Sequence, residues 1–277
     1  MANTQVIFVK HNIFKHRLLG QCMNKIILAS TLHDPKGSLE EAIKKYSPQL
    51  IKQHSNAVIA ITPQTPDNIV NTIQAQGITC FKSGQSRRST YVSSLNAGIN
   101  LPGDLIFFCD FDRILHWIKT HSQEYTNTLK HTEFDFILVG RTHHAFETHP
   151  KTQKVTEGAL NYYCSMLLGK MLMDFGAATF LMNKTIADKI LKTTKYDYGI
   201  FAEWPVIAAM HTNRFGYFEA QGLEWETPDR FEAEIKSKGY SCWLKKFQTK
   251  QEWALRNTLM QEGIEAAYHQ VNSAKNI

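Results

Sequence analysis

The 277-residue sequence predicts an α/β protein with a mostly parallel central sheet flanked by helices and a helical C-terminal extension. Three observations carry that prediction. Short apolar runs alternate with amphipathic stretches through the first half, the pattern of parallel strands covered by helices. The run Leu105-Ile106-Phe107-Phe108-Cys109 is apolar at every position, as in a strand buried on both faces. From Pro228 onward the pattern turns helical, polar and rich in tryptophan, with no obvious linker before it. We therefore expect a main domain over residues 1–227 and a helical extension over 228–277 packed on it.

The elements follow in order. Gln5-Val6-Ile7-Phe8-Val9 and residues 25–30 read as strands. Ser38 with Glu40 and Glu41 opens a helix whose apolar stripe is Ala42, Ile43, Tyr46, Leu50 and Ile51. Residues 57–61 form the next strand, 66–76 a helix, 78–81 a short strand, 86–97 a helix and 105–109 the fourth strand of the βα series. Beyond it, strands are expected at 134–139, 177–182 and 214–219, and helices at 157–168, 185–191 and 200–211, the last with Pro205 tolerated in its first turn.

A 43% hydrophobic and 20% charged composition is that of a globular chain and excludes a disordered one. The formal charge of +6 favours anionic partners such as nucleotides, phosphorylated acceptors or an acidic membrane surface. Cysteines at 22, 80, 109, 164 and 242 form no CxxC pair and lie mostly in apolar segments, so reduced, buried thiols and a cytoplasmic location are expected. The amino terminus lacks the features of a secretory leader. The most membrane-like stretch, residues 162–182, is interrupted by Lys170 and Asp174. No nucleic-acid-binding signature is present.

Asp110 and Asp112 follow directly on the 105–109 run. A buried parallel strand delivers such residues to the carboxyl edge of the sheet, where open α/β folds bind ligands. Two carboxylates there can hold a hard divalent cation, which in turn grips a diphosphate. The bland alternative is that Asp112 only caps a helix beginning at Arg113.

With residues 27–35 leaving the first sheet strand and residues 86–98 before the fourth, this DxD triplet resembles the GT-A superfamily of nucleotide-diphospho-sugar transferases, glycosyltransferase family 2-like. The resemblance covers residues 25–220 in element order, and only the triplet matches at motif strength. It implies a GT-A, Rossmann-like sheet and a metal-dependent glycosyltransferase of the hexosyltransferase class, using Mn²⁺ or Mg²⁺. Asp112 would be the principal metal ligand, and Asp110 a ribose or second metal contact. Ser30, Thr31 and Asp34 would line the nucleotide pocket, although Asp34-Pro35 is also ordinary turn chemistry. Arg87 and Arg88, about 100° apart on a helix, would supply one diphosphate contact between them.

Glu203, flanked by Phe201 and Trp204 at a helix start, resembles the acceptor-activating base of inverting members. Equally it suits the positive end of its helix. His211, about 12 Å further along that helix, is a candidate distant metal ligand or a residue favoured by the helix carboxyl end. The cluster His143, His144 and His149 is a ligand candidate or an ordinary flexible loop. The interleaved aromatics and lysines of residues 240–247 suit either a membrane surface or packing on the main domain.

The expected partners are a nucleoside diphosphate sugar and an acceptor that is anionic or lipid-linked, with peripheral membrane association as the corollary of the latter. The competing readings are a nucleotidyltransferase, a haloacid-dehalogenase-type phosphohydrolase, and a non-catalytic nucleotide-binding domain. The first is disfavoured by the absence of a Gly-rich basic loop, the second by the late position of the triplet and by Ile114 after it.

Overall fold

Residues Leu105–Asp110 form a strand, β5, that is paired on both edges and covered on both faces. The computed structural model describes residues 7–8 and 25–275, and among these eight strands make one sheet. The others are β1 (Ile7–Phe8), β2 (Ile26–Leu32), β3 (Asn56–Ile61), β4 (Thr79–Lys82), β6 (Phe136–Arg141), β7 (Phe180–Asn183) and β8 (Phe215–Ala220). The spatial order is β1-β8-β6-β7-β5-β2-β3-β4. Neighbours run parallel except at β7, which is antiparallel to both β5 and β6. The expected first strand is met by Ile7–Phe8, while residues 5, 6 and 9 lie outside the described ones.

Side chains of β5 alternate between two cores, as period-2 geometry requires. Ile106 and Phe108 join one core with Ile27, Ala29 and Phe180, under helices α3 (Arg87–Ile99), α6 (Lys151–Leu167), α7 (Lys184–Thr193) and α8 (Ile200–His211). Leu105, Phe107 and Cys109 join the other with Ile26 and Leu28, under α1 (Glu40–Ile51), α2 (Asp67–Ala75) and α4 (Phe111–Thr128). Phe108 meets Trp204 edge-on at 4.9 Å and Phe107 meets Tyr125 edge-on at 5.5 Å, the favoured geometry for aromatic pairs. Gly98 lets α3 lie close on β2, since a Cβ there would stand 3.0 Å from that of Ala29.

Several boundaries differ from the expected ones. Helix α6 begins at Lys151 behind Pro150, which sits at its N-cap, and not at Glu157. Residues Phe175–Ala177 form a 3-10 turn followed by Ala178 at φ 48°, so β7 starts only at Phe180. The 143–149 segment carries a short helix, α5 (His143–Glu147), whose first turn is capped by the Thr142 hydroxyl. Cys80, Cys109 and Cys164 are buried as expected, whereas Cys242 is exposed.

The C-terminal region adds α9 (Glu232–Lys238), α10 (Tyr240–Leu244) and α11 (Lys250–Lys275). Helix α11 packs along α6 and α8, where a Cβ on Gly263 would come within 2.8 Å of Leu160. Trp243 is fully buried among Trp225, Phe231, Tyr240 and Phe247, while Lys245 and Lys246 are exposed, so these aromatics pack on the protein. Residues 226–232 reach back to α4: Asp229 accepts from His116 Nδ1 at 2.8 Å and from Lys119 Nζ at 3.1 Å. No described helix is long and apolar enough to cross a membrane.

Candidate functional site

Asp110 ends β5, and the register places it opposite Thr31 of β2. The Thr31 hydroxyl donates to Asp110 Oδ1 at 2.5 Å, and the Tyr91 hydroxyl, from α3, lies 2.8 and 3.0 Å from the two carboxylate oxygens. Burial pushes Tyr91 well above its ordinary pKa and the Asp110 charge adds to this, so the phenol remains a donor. Asp112 is not the cap of a helix beginning after it. It stands in the first turn of α4, behind Asp110 at the N-cap, and forms an ion pair with Arg230. Arg230 also donates to the carbonyl of His33 at 2.7 Å. Acids in a first helical turn are favoured by the helix dipole, which locally accounts for the placement of Asp112.

Two cavities meet at Asp110. One, of about 300 Å³, is lined by Thr31, His33, Thr62, Arg87, Asp112 and Arg230 among others. The second, of about 200 Å³, lies between α6, α11 and the 225–227 segment. Arg87, Tyr91 and Asp110 line both.

The two adjacent arginines divide as helix geometry requires. Arg87 faces the cleft over the rings of Tyr91 and Tyr198, at 6.0 and 5.6 Å. Arg88 turns away, with its Nη2 on the carbonyl of Thr194 at 3.0 Å and its backbone N–H on Asp197 at 2.5 Å.

Besides Arg88, four expected site residues are placed elsewhere. Ser30 is fully buried and its hydroxyl donates to the carbonyl of Cys109 at 2.6 Å, because alternation along β2 puts it on the face of Leu28 and Leu32, toward the core under α1 and α4. Asp34 is 1% exposed and accepts from the backbone of Ser38 and Leu39 and the Ser38 hydroxyl at 2.9–3.1 Å, so it secures the approach to α1. Glu203 is fully buried and lines neither cavity; it accepts from the Thr194 hydroxyl at 2.5 Å, from Lys195 N at 3.0 Å and from Gln270 at 2.8 Å. It holds the 194–195 turn and α11 to α8, outside both cavities, an arrangement that suits a structural role. His211 is exposed at the far end of α8, with Nδ1 2.8 Å from the Ile207 carbonyl, and lines neither cavity.

Of the histidine cluster, only His149 lines a cavity. Burial, followed by the charges of Arg141 and Arg113, holds it well below the ordinary imidazole pKa. The neutral ring donates from Nδ1 to the Ala145 carbonyl at 3.1 Å, a tautomer assigned from that contact.

Residues absent from the sequence reading complete the site. Tyr91 lies one helical turn beyond Arg87, a spacing that marks it as sharing that face. Glu226 lines the second cavity with Arg113 Nε 3.6 Å away; burial raises its pKa, Arg113 opposes this and Asp112 reinforces it. Arg230 and Glu226 lie more than a hundred residues from Asp112, and no local pattern announces them.

No protein-family model matches the sequence, and no curated protein matches it. Among solved structures, the chain is similar to glucosyl-3-phosphoglycerate synthase from Mycobacterium tuberculosis, at 12% identity, with 71% of each chain covered and a TM-score of 0.50. The same synthase in complex with phosphoglyceric acid matches at 12% identity and a TM-score of 0.50, covering 71% of this chain and 70% of that one. This likeness shows the fold alone: the chain shares that synthase's α/β architecture, a mostly parallel sheet between layers of helices.

Proposed function

We propose that the protein is a metal-dependent glycosyltransferase that moves a hexose from a nucleoside diphosphate sugar to an acceptor hydroxyl. One observation carries the reading: Asp110, at the carboxyl end of β5, stands on the boundary between two cavities that share Arg87, and Asp112, two residues on, lines the first of them. The cavity beside Thr31 suits the nucleoside, Arg87 and Arg230 suit the diphosphate, and the second cavity suits the sugar and acceptor. On the division at 227/228, Arg230 belongs to the helical extension, which thereby supplies a residue to the donor side.

The residues fit a hard cation. Among the described residues no group of three or more His, Cys, Asp or Glu converges. Two carboxylates alone suit Mg²⁺ or Mn²⁺, which complete their shells with phosphate oxygens and water. Asp110 and Asp112 would hold the ion, and it would neutralise charge on the departing diphosphate. Tyr91 and Thr31 fix the Asp110 carboxylate, and Arg87 binds phosphate oxygens at the junction. Glu226 and Glu157 place further carboxylates on the acceptor side.

Titration calorimetry of UDP and GDP tests this. Binding of at least one nucleotide that strengthens with Mn²⁺ is expected, and no binding of either with Mn²⁺ present rejects the reading. Phosphate release from a generic ester would instead favour a phosphohydrolase.

A further inference from the structure

The acceptor-side cavity is lined by four arginines, Arg87, Arg113, Arg141 and Arg256, yet three of them are already held by carboxylates. Arg141, its side chain 1% exposed, donates to Asp174 from Nε at 2.6 Å and Nη2 at 2.7 Å, and stands 2.7 Å from Glu157. Arg113 pairs with Glu226 at 3.6 Å and donates to the Ala177 carbonyl. Arg256 donates to Glu252 at 2.7 Å, and Gln153, with its amide oxygen turned to that guanidinium, accepts from it at 2.6 and 3.0 Å. Arg87 makes no ion pair among the described residues, and it sits at the donor junction.

With Arg87 taken by the donor diphosphate, a phosphate or carboxylate entering this cavity would have to break a buried pair or lie uncompensated beside Asp110, Glu157 and Glu226. Removing one partner of a buried pair is strongly unfavourable. The remaining lining has a different chemistry. Trp225, Leu160, Leu259 and Met260 form an apolar wall. His149 Nε2 is buried without a hydrogen-bond partner, His149 being 5% exposed, and the loose Arg113–Glu226 pair, 3.6 Å apart, leaves Arg113 Nε and Glu226 Oε2 without hydrogen bonds too. Unsatisfied acceptors and one unsatisfied donor beside an apolar wall match a molecule with C–H faces and hydroxyls, which both donate and accept.

We infer that this cavity takes a neutral polyhydroxylated acceptor, a sugar or polyol, and discriminates against phosphorylated or carboxylate acceptors. The inference rests on the proposed transferase activity for the word acceptor. As a statement about binding it stands on the cavity alone.

The test is saturation-transfer NMR on the full chain with methyl glycosides of glucose, galactose and mannose and with glycerol. Glycerol 3-phosphate and inorganic phosphate are followed in parallel by ³¹P line broadening. Transfer to at least one neutral probe is expected, with no phosphate broadening. Met260→Trp and Thr227→Trp fill the cavity from opposite walls, and each should weaken neutral-probe binding about tenfold or more. Circular dichroism identifies which variant keeps its fold, and either one suffices. Glu252→Gln, which releases Arg256, should make phosphate binding appear. Phosphate binding to the unmodified protein that Met260→Trp or Thr227→Trp abolishes would overturn the inference, as would a panel in which no neutral probe binds. Nucleotide titration with Mn²⁺ and no acceptor is run separately, so failure of the transferase reading is recognised independently.

Discussion

Arg230 holds Asp112 across 118 residues of sequence, and with its other nitrogen it holds the carbonyl of His33. The pair closes the donor side of the cleft with a positive charge placed on a proposed metal ligand. Burial opposes the charge on Arg230, but Asp112 and then Glu226 more than offset it and raise its pKa, so the guanidinium stays protonated.

Replacing Arg230 with Gln should therefore strengthen binding of Mn²⁺ alone, since the cation then meets an uncompensated Asp112. Each tenfold in affinity corresponds to about 1.4 kcal/mol, the scale of one such charge interaction. Free Mn²⁺ measured by electron paramagnetic resonance reports it. Unchanged affinity would show that Arg230 and the metal do not compete.

Asp112→Asn should remove most of the Mn²⁺-dependent gain in nucleotide affinity while leaving the fold intact. The lost ion pair is mostly shielded, its side chains 16% and 17% exposed, so a loss of stability of about 1–3 kcal/mol accompanies the change. Calorimetry with UDP and GDP, beside urea unfolding curves, separates the two effects. Full retention of the metal-dependent gain rejects the ligand role.

Glu203→Gln is predicted to lower stability and spare donor binding. The amide cannot accept from Thr194, Lys195 N and Gln270 as the carboxylate does, and an unsatisfied buried partner costs about 1–3 kcal/mol. A drop in the urea midpoint with unchanged nucleotide affinity is the expected result. Unchanged stability with lost turnover would restore Glu203 as a base.

His54 makes stability depend on pH. It is 8% exposed, and burial lowers its pKa from 6.5 to about 3. Between those values the unfolded chain binds a proton there that the folded chain does not. This contribution is complete above pH 6.5 and declines as the pH falls toward 3, by about 1.4 kcal/mol per unit. His54→Asn should flatten the unfolding free energy across that window relative to the unmodified protein. His149, shifted in the same direction, keeps its own share in both proteins.

Much of the sheet was readable because its signals are local. The 105–109 run is apolar at every position, and β5 is indeed buried on both faces. The helix expected over residues 86–97 is α3, and Ser86 caps it: its hydroxyl accepts from Ser89 N at 3.0 Å. The direction of β7 was not readable, because a four-residue apolar strand looks the same whichever way it runs. Nor was the break in α4 at His121, with φ −139° and ψ 50°, since nothing in its flanking residues disrupts the helical pattern.

The candidate site divides in the same way. Asp110, Asp112, Thr31 and Arg87 sit on strand ends or helix starts whose positions a periodic pattern fixes. Glu203 was ambiguous because apolar neighbours suit a desolvated base and a buried strut equally, and the partner that favours the strut, Gln270, lies 67 residues on. Tyr91, Glu226 and Arg230 act through the topology that brings α3 and the 225–230 segment to one edge.

Arg256, Leu259 and Met260, which wall the second cavity, all belong to α11, and that helix docks on α6 and α8. Its partners are therefore made about a hundred and about fifty residues earlier in synthesis, and contacts of such sequence separation form late because the intervening loop must first be closed. A nascent chain halted before residue 256 can hold β5 and both aspartates yet lacks a closed cavity. The second cavity is thus closed only after every strand of the sheet has been made.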